Sequence, residues 1–174
     1  MDRLRPHDIA VALQLALTPR APYRALAEAV GLSQGEAHNA VKRLAAARLV
    51  RDHERAVNAA ALLEFLAGGV PYVFPAEPGA DTRGVPTAHT APPFGGYVGQ
   101  SQSVVWPTAD GRARGAAVEP LYASAPDTAR RNPRLYELLT IVDALRIGRA
   151  RERQHAKALL HERLLKVSGA VNHA

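Results

Sequence analysis

The sequence predicts an α+β chain, mostly helical, made of an N-terminal helical unit, a small β-containing middle unit and a C-terminal helical hairpin. Three observations predict it. Helical periodicity with few breakers runs to about Val57. Residues 68–126 then hold 9 of the 13 glycines and 9 of the 13 prolines, a composition for turns, loops and short strands. From Asn132 to about Val167 only Pro133 and Gly148 interrupt a second helical pattern. The expected divisions are residues 1–57, 58–126 and 127–174.

In the first segment, Asp8 can cap a helix over Ile9 to Leu17 with Ile9, Leu13, Ala16 and Leu17 on one face. Thr18-Pro19-Arg20-Ala21-Pro22 stops it. A second helix begins near Tyr23, buries Leu26, Ala27 and Val30, and ends at Gly31. Ser33-Gln34-Gly35-Glu36 is a capping box that opens a third helix to about Ala47, with Ala37, Val41 and Leu44 as its apolar stripe. Helix, three-residue turn, helix is the spacing of a helix-turn-helix. Leu49 to Val57 reads as two short strands around a polar tip.

Further on, Asn58 begins another helix, closed by Gly68-Gly69, and Val70 to Phe74 is expected as an edge strand. Val104-Val105-Trp106 and Ala116-Ala117-Val118 are expected as a hairpin around Asp110-Gly111. Asp81 to His89 is expected as a long loop, either a contact for a ligand or partner through Arg83 and His89 or a loop fastened by those side chains. Leu135, Leu138, Leu139, Val142 and Leu145 form one C-terminal stripe, and Ala156, Leu159, Leu160 and Leu164 another. Such stripes pack on their own domain or on a twin; the expectation taken is a homodimer.

The stretch from Tyr23 to Val50 resembles the DNA-binding core of bacterial winged helix-turn-helix regulators of the MarR, IclR and AsnC types. Leu26-Ala27, Gly31-Leu32-Ser33, Val41-Lys42-Arg43-Leu44 and Leu49-Val50 carry the likeness in order and spacing, over roughly residues 8–57. The chain departs at Arg48, where these families often have Gly. The resemblance implies an N-terminal winged helix that binds double-stranded DNA. If Ala37, Val41 and Leu44 face the core, Gln34, His38, Asn39 and Lys42 share the opposite face. Asn and Gln pair with adenine edges, and Lys with guanine or phosphate. Ser33 starts this helix, and Arg43, at the margin of the face, is expected on a phosphate. At the wing, Arg51 and Arg55, with His53 between them, either straddle a minor groove or pair with Asp52 and Glu54.

The 174 residues carry a formal charge of +6, distributed as +3, −2 and +5 over the three segments, which favours an anionic partner. Of the 22 basic residues 19 are Arg, a bias that genome composition can also produce. Arg146, Arg149, Arg151 and Arg153 cluster between the C-terminal stripes as a second phosphate contact, an acidic-partner site or a solvated face. The absence of Cys excludes disulfides and thiolate metal sites. There is no HExxH, no phosphate-cradling glycine loop and no nucleophile elbow. The expectation is a cytoplasmic DNA-binding regulator, a repressor, without catalysis, cofactor, metal or membrane span. The alternative is an antitoxin-like adaptor that holds a protein partner through its middle and C-terminal parts and regulates its own gene through the winged helix.

Overall fold

The computed structural model describes residues 3–95 and 102–171, without the side chains of Asp52 and of residues 167–171. Residues 96–101 of the middle unit lie outside the described residues. The chain opens with α1 (Pro6–Leu17), α2 (Tyr23–Val30) and α3 (Gln34–Ala46), followed by β1 (Val50–Arg51) and β2 (Ala56–Val57). The two strands pair antiparallel through Val50 with Val57 and Arg51 with Ala56. Helix α1 starts before Asp8 because Pro6 suits a first turn, where its missing N–H is not needed. Asp8 is therefore not an outside cap: it sits in the first turn and accepts the Arg5 N–H at 2.8 Å. Every residue from Asp8 to Ala16 is buried. A helix covered all round needs neighbours on both sides, here α2 and α3 on one and the C-terminal helices on the other.

Helix α4 (Ala59–Gly68) follows, with Asn58 accepting the Ala61 N–H at 3.3 Å. The strand expected at Val70 to Phe74 is instead a helical turn, α5 (Val70–Val73). Gly69 keeps right-handed helical angles, Pro71 falls in the first turn, and the Phe74 N–H reaches the Val70 carbonyl at 2.9 Å.

The middle unit differs most from expectation. Asp81–Pro86 is a strand, β3, and Ala88–Thr90 a 3₁₀ turn, so the expected loop is largely ordered structure. Strands β4 (Val104–Pro107) and β5 (Ala113–Ala117) do not make a hairpin. Both pair antiparallel with β3, β5 along Asp81 to Gly84 and β4 along Gly84 to Pro86. Two strands antiparallel to a common third must run parallel to each other, and Val104 pairs with Ala116 and Val105 with Ala117. Gly84 stands where the pairings meet: a Cβ there would lie 2.0 Å from the Trp106 carbonyl oxygen.

The chain ends in α6 (Ala125–Arg131), α7 (Pro133–Ile147) and α8 (Ala150–Val171). Leu135, Leu138, Leu139, Val142 and Leu145 are buried, as are Ala156, Leu160 and Leu164. Both stripes belong to a single core that also holds Ile9, Leu13, Leu44, Leu62, Trp106 and Val118. The observation that suggested a dimer is thus accounted for within one chain. Burying the five aliphatic side chains on α7 contributes on the order of 10 kcal/mol, too much to be released to a twin. No helix among the described residues is long and apolar enough to cross a membrane.

One buried polar group ties the middle unit to α7. Asp143 is 1% exposed and accepts from Thr87 Oγ1 (2.7 Å), Trp106 Nε1 (2.5 Å) and Arg146 Nη1 (2.7 Å). Arg146 also donates to the carbonyls of Phe74 (2.8 Å) and Glu119 (3.2 Å). Asp143→Ala should cost about 3–5 kcal/mol in urea unfolding, because it leaves a buried guanidinium without its counter-charge and the Thr87 and Trp106 donors without their acceptor. A loss below about 1 kcal/mol would show that these donors find other partners.

Candidate nucleic-acid interface

The turn between α2 and α3 is built as its residues dictate. Gly31 takes the left-handed conformation (φ 80°, ψ 40°), and the Leu32 N–H returns to the Ala27 carbonyl at 2.9 Å. Ser33 Oγ accepts the Glu36 N–H at 3.2 Å while Glu36 accepts the Ser33 N–H at 2.9 Å. The Ser33 hydroxyl also donates to that carboxylate at 2.7 Å, and the two bonds hold Glu36 below the usual carboxylate range. Ser33 is thus committed to starting the helix, its hydroxyl engaged within the box.

With Ala37, Val41 and Leu44 fully buried, α3 presents Gln34, Asn39 and Lys42 to solvent. Residues 34, 38 and 42 are four apart and so lie along one line of the helix surface. His38 is only half-exposed. Its ring meets Tyr23 edge to face at 4.9 Å, and the Arg55 guanidinium lies 5.4 Å from the centre of the same Tyr23 ring. Tyr23 thus seats one residue of α3 and one wing residue at once. Sequence reasoning missed this role; the available signal was an aromatic at the first position of α2.

Two basic residues are not where the sequence reading put them. Arg43 is 5% exposed and grips fully buried Asp8 with both arms, Nε to Oδ2 at 2.8 Å and Nη2 to Oδ1 at 2.7 Å. It locks α3 to α1 and does not reach for a phosphate; the marginal helix position that suggested an edge location faces a partner 35 residues upstream. Arg43 Nη2 also lies 3.2 Å from His7 Nε2, which makes that nitrogen an acceptor. Burial lowers the His7 pKa, with the nearby Arg43 charge adding to the effect and Asp8 opposing it. Arg55 folds back onto the turn after α1, donating to the carbonyls of Ala21 (3.1 Å) and Arg20 (3.2 Å), so it does not straddle a groove. At the wing tip, Arg51 and His53 are exposed, and Arg51 lies 3.5 Å from Glu54 in a solvated pair worth little. The alternative pairing with Asp52 falls on a side chain outside the described set.

The expected departure at Arg48 has a conformational cause. Its φ is 61°, the Leu49 N–H bonds the Leu44 carbonyl and the Arg48 N–H bonds the Ala45 carbonyl, both at 2.9 Å. This pattern ends a helix with a left-handed residue, where Gly is cheapest. Arg20 takes a similar conformation (φ 64°) in the turn after α1. Both arginines are exposed, so left-handed backbone is held at two positions that could have been glycine.

The other candidates do not form one site. Arg83 is exposed on β3, whereas His89 is buried, its Nε2 donating to the Gln102 carbonyl at 3.0 Å and its Nδ1 3.9 Å from Glu152. Arg146 is committed to Asp143 and two carbonyls, as described above. Arg149 is exposed, and its N–H is accepted by Glu152 at 2.9 Å in the first turn of α8. Among the described residues no cluster of His, Asp or Glu is arranged to hold a metal ion.

Residues 4–51 match the sequence model of a family described as winged helix-turn-helix DNA-binding. The match spans α1 to the first strand of the wing, somewhat over a quarter of the chain. No curated protein and no solved structure gives a significant match. The N-terminal part of the chain is a winged helix-turn-helix DNA-binding domain.

Two substitutions separate architecture from contact. Arg43→Ala should destabilise the fold by about 3–5 kcal/mol in chemical unfolding, since it strands the Asp8 carboxylate; a stable variant with altered salt dependence of DNA binding would return Arg43 to the phosphates. Arg48→Gly should raise stability by about 1 kcal/mol by relieving the left-handed backbone. A fall in thermal midpoint for that variant would reveal a structural role for the guanidinium.

Proposed function

We propose that the chain is a sequence-specific double-stranded DNA-binding regulator of transcription, acting most simply as a repressor that occupies a promoter. One observation carries the reading: a helix fixed in the core by Ala37, Val41, Leu44 and the Asp8–Arg43 pair turns Gln34, Asn39 and Lys42 outward. Rigid placement of side chains that match base edges and phosphates is what major-groove reading requires. The seated His38 joins them, with Arg51 and His53 beside the groove and Arg20 and Arg48 as exposed cations at the turns.

Binding of two half-sites by a homodimer, the usual mode of helix-turn-helix regulators, completes the reading. Its contact does not come from the buried stripes of α7 and α8. Tyr72 and Val73 of α5, 73% and 54% exposed, are among the apolar side chains left for it. The adaptor reading has less support, since His89 and Arg146, two of the four residues offered for a partner, face the interior.

Footprinting on the DNA upstream of the chain's own gene tests the proposal; absence of any protected site there, or equal affinity for random DNA, would end it. On the protected site, Asn39→Ala should cost about 1–3 kcal/mol while leaving random DNA nearly unaffected. Lys42→Ala should weaken both alike and reduce the salt slope by about one phosphate's worth. Equal losses for Asn39→Ala on both DNAs would remove it from base reading.

A further inference from the structure

A cleft of about 670 Å³ opens between the middle sheet and α6. That is the volume of a small-molecule site. Its apolar side is Val85, Pro86 and Ala113, and its polar side Asp110, Arg112 and Arg130. The concavity is set by backbone: a Cβ on Gly111 would lie 2.4 Å from the Gly84 Cα, so the turn between β4 and β5 folds down onto β3. The back wall is held by Tyr136, whose hydroxyl donates to the Pro86 carbonyl at 2.6 Å.

The charges in the cleft do not cancel. Asp110 is bonded by Arg130 Nη2 at 2.6 Å and by Thr108 Oγ1 at 2.8 Å, which hold its carboxyl down to about 2 and keep it ionised. Arg112 is exposed, and no carboxylate among the described residues pairs with it. One net positive charge therefore stands beside an apolar floor. A guanidinium offers paired N–H groups that fit a carboxylate, and the floor fits a short hydrocarbon or aromatic body.

The same α6 that lends Arg130 to the cleft packs on the helix-turn-helix. Residues two apart on a helix face opposite ways, and Thr128, fully buried, donates to the Val30 carbonyl at 3.0 Å, at the last residue of α2. Asn132, at the end of α6, donates to the Ala29 carbonyl at 3.3 Å and to Gln14 of α1 at 2.8 Å. A Cβ on Gly31 would meet Arg131 at 3.0 Å and Ser124 at 3.2 Å, so α6 touches the turn that leads into α3.

We propose that this cleft is an effector site for a small organic carboxylate, held by Arg112 and Arg130 over Val85, Pro86 and Ala113, and that its occupancy is transmitted through α6 to the turn before α3. The transmission rests on the DNA-binding reading above; the site itself does not.

The test uses the full chain and benzoate as probe, followed by amide chemical shifts. Saturable shifts in the millimolar range are expected at Gly84, Gly111 and Ala113, together with shifts at Val30, Gly31 and Leu32. Arg112→Ala and Arg130→Ala should each weaken the binding by about tenfold. Saturating benzoate should also change affinity for the footprinted DNA by about fivefold in the parent chain and not in Arg112→Ala. Absence of saturable shifts, or equal saturation in both variants, overturns the site. Saturation at the cleft with Val30 to Leu32 unmoved and DNA affinity constant overturns the transmission. A parent chain that binds no DNA refutes the regulator reading alone, because the amide shifts still decide the cleft.

Discussion

The fold depends on a carboxylate that has no access to water. Asp143 sits inside α7 at 1% exposure, and a charge so placed is tolerable only if its lone pairs are answered. The answers come from three directions: Thr87 after β3, Trp106 in β4, and Arg146 one turn along α7. Arg146 in turn holds the carbonyls behind α5 and β5. A Gly- and Pro-rich segment is thereby given one position against the helices. Hydrophobic burial alone tolerates sliding; three directional bonds to one carboxylate do not.

The winged helix repeats the device. Asp8 and Arg43 form a buried two-armed pair that fixes the rotation of α3 about its axis, and hence which side chains of α3 face outward. The ion pair adds little net stability over a well-packed apolar alternative. Its contribution lies in the register of the outward side of α3. The Tyr23 contacts to His38 and Arg55 act the same way at lower stakes, linking the face to the wing through one aromatic ring.

How much was legible in the sequence follows from this. The helices α1 to α4, the Gly31 turn, the Ser33–Glu36 box and the short wing were readable because each is written in local spacing. Ala37, Val41 and Leu44 gave the buried side of α3 directly. Arg43 was misread because its partner is 35 residues away, and a charged residue at the edge of a polar face is locally indistinguishable from a surface one. β3 was missed because Asp-Thr-Arg-Gly-Val-Pro has no two-residue alternation, and without it the parallel arrangement of β4 and β5 could not be foreseen. Val70 to Phe74 looked like a strand on composition, while the helical angles of Gly69 and the placement of Pro71 decided otherwise. The stripes of α7 and α8 were read correctly as buried faces, but periodicity cannot say whose core they enter.

Helix α1 belongs to two neighbourhoods at once, covered on one side by α2 and α3 and on the other by α7 and α8. The winged helix is consequently not a portable module. Excised after the wing, it would carry half of α1 bare, and grafted elsewhere it would need a host surface shaped like α7. Substitutions in the C-terminal helices that shift α1 by a fraction of an ångström can therefore move the outward side of α3 without touching it. In this chain the history of the winged helix and the history of the remainder are bound to be written together.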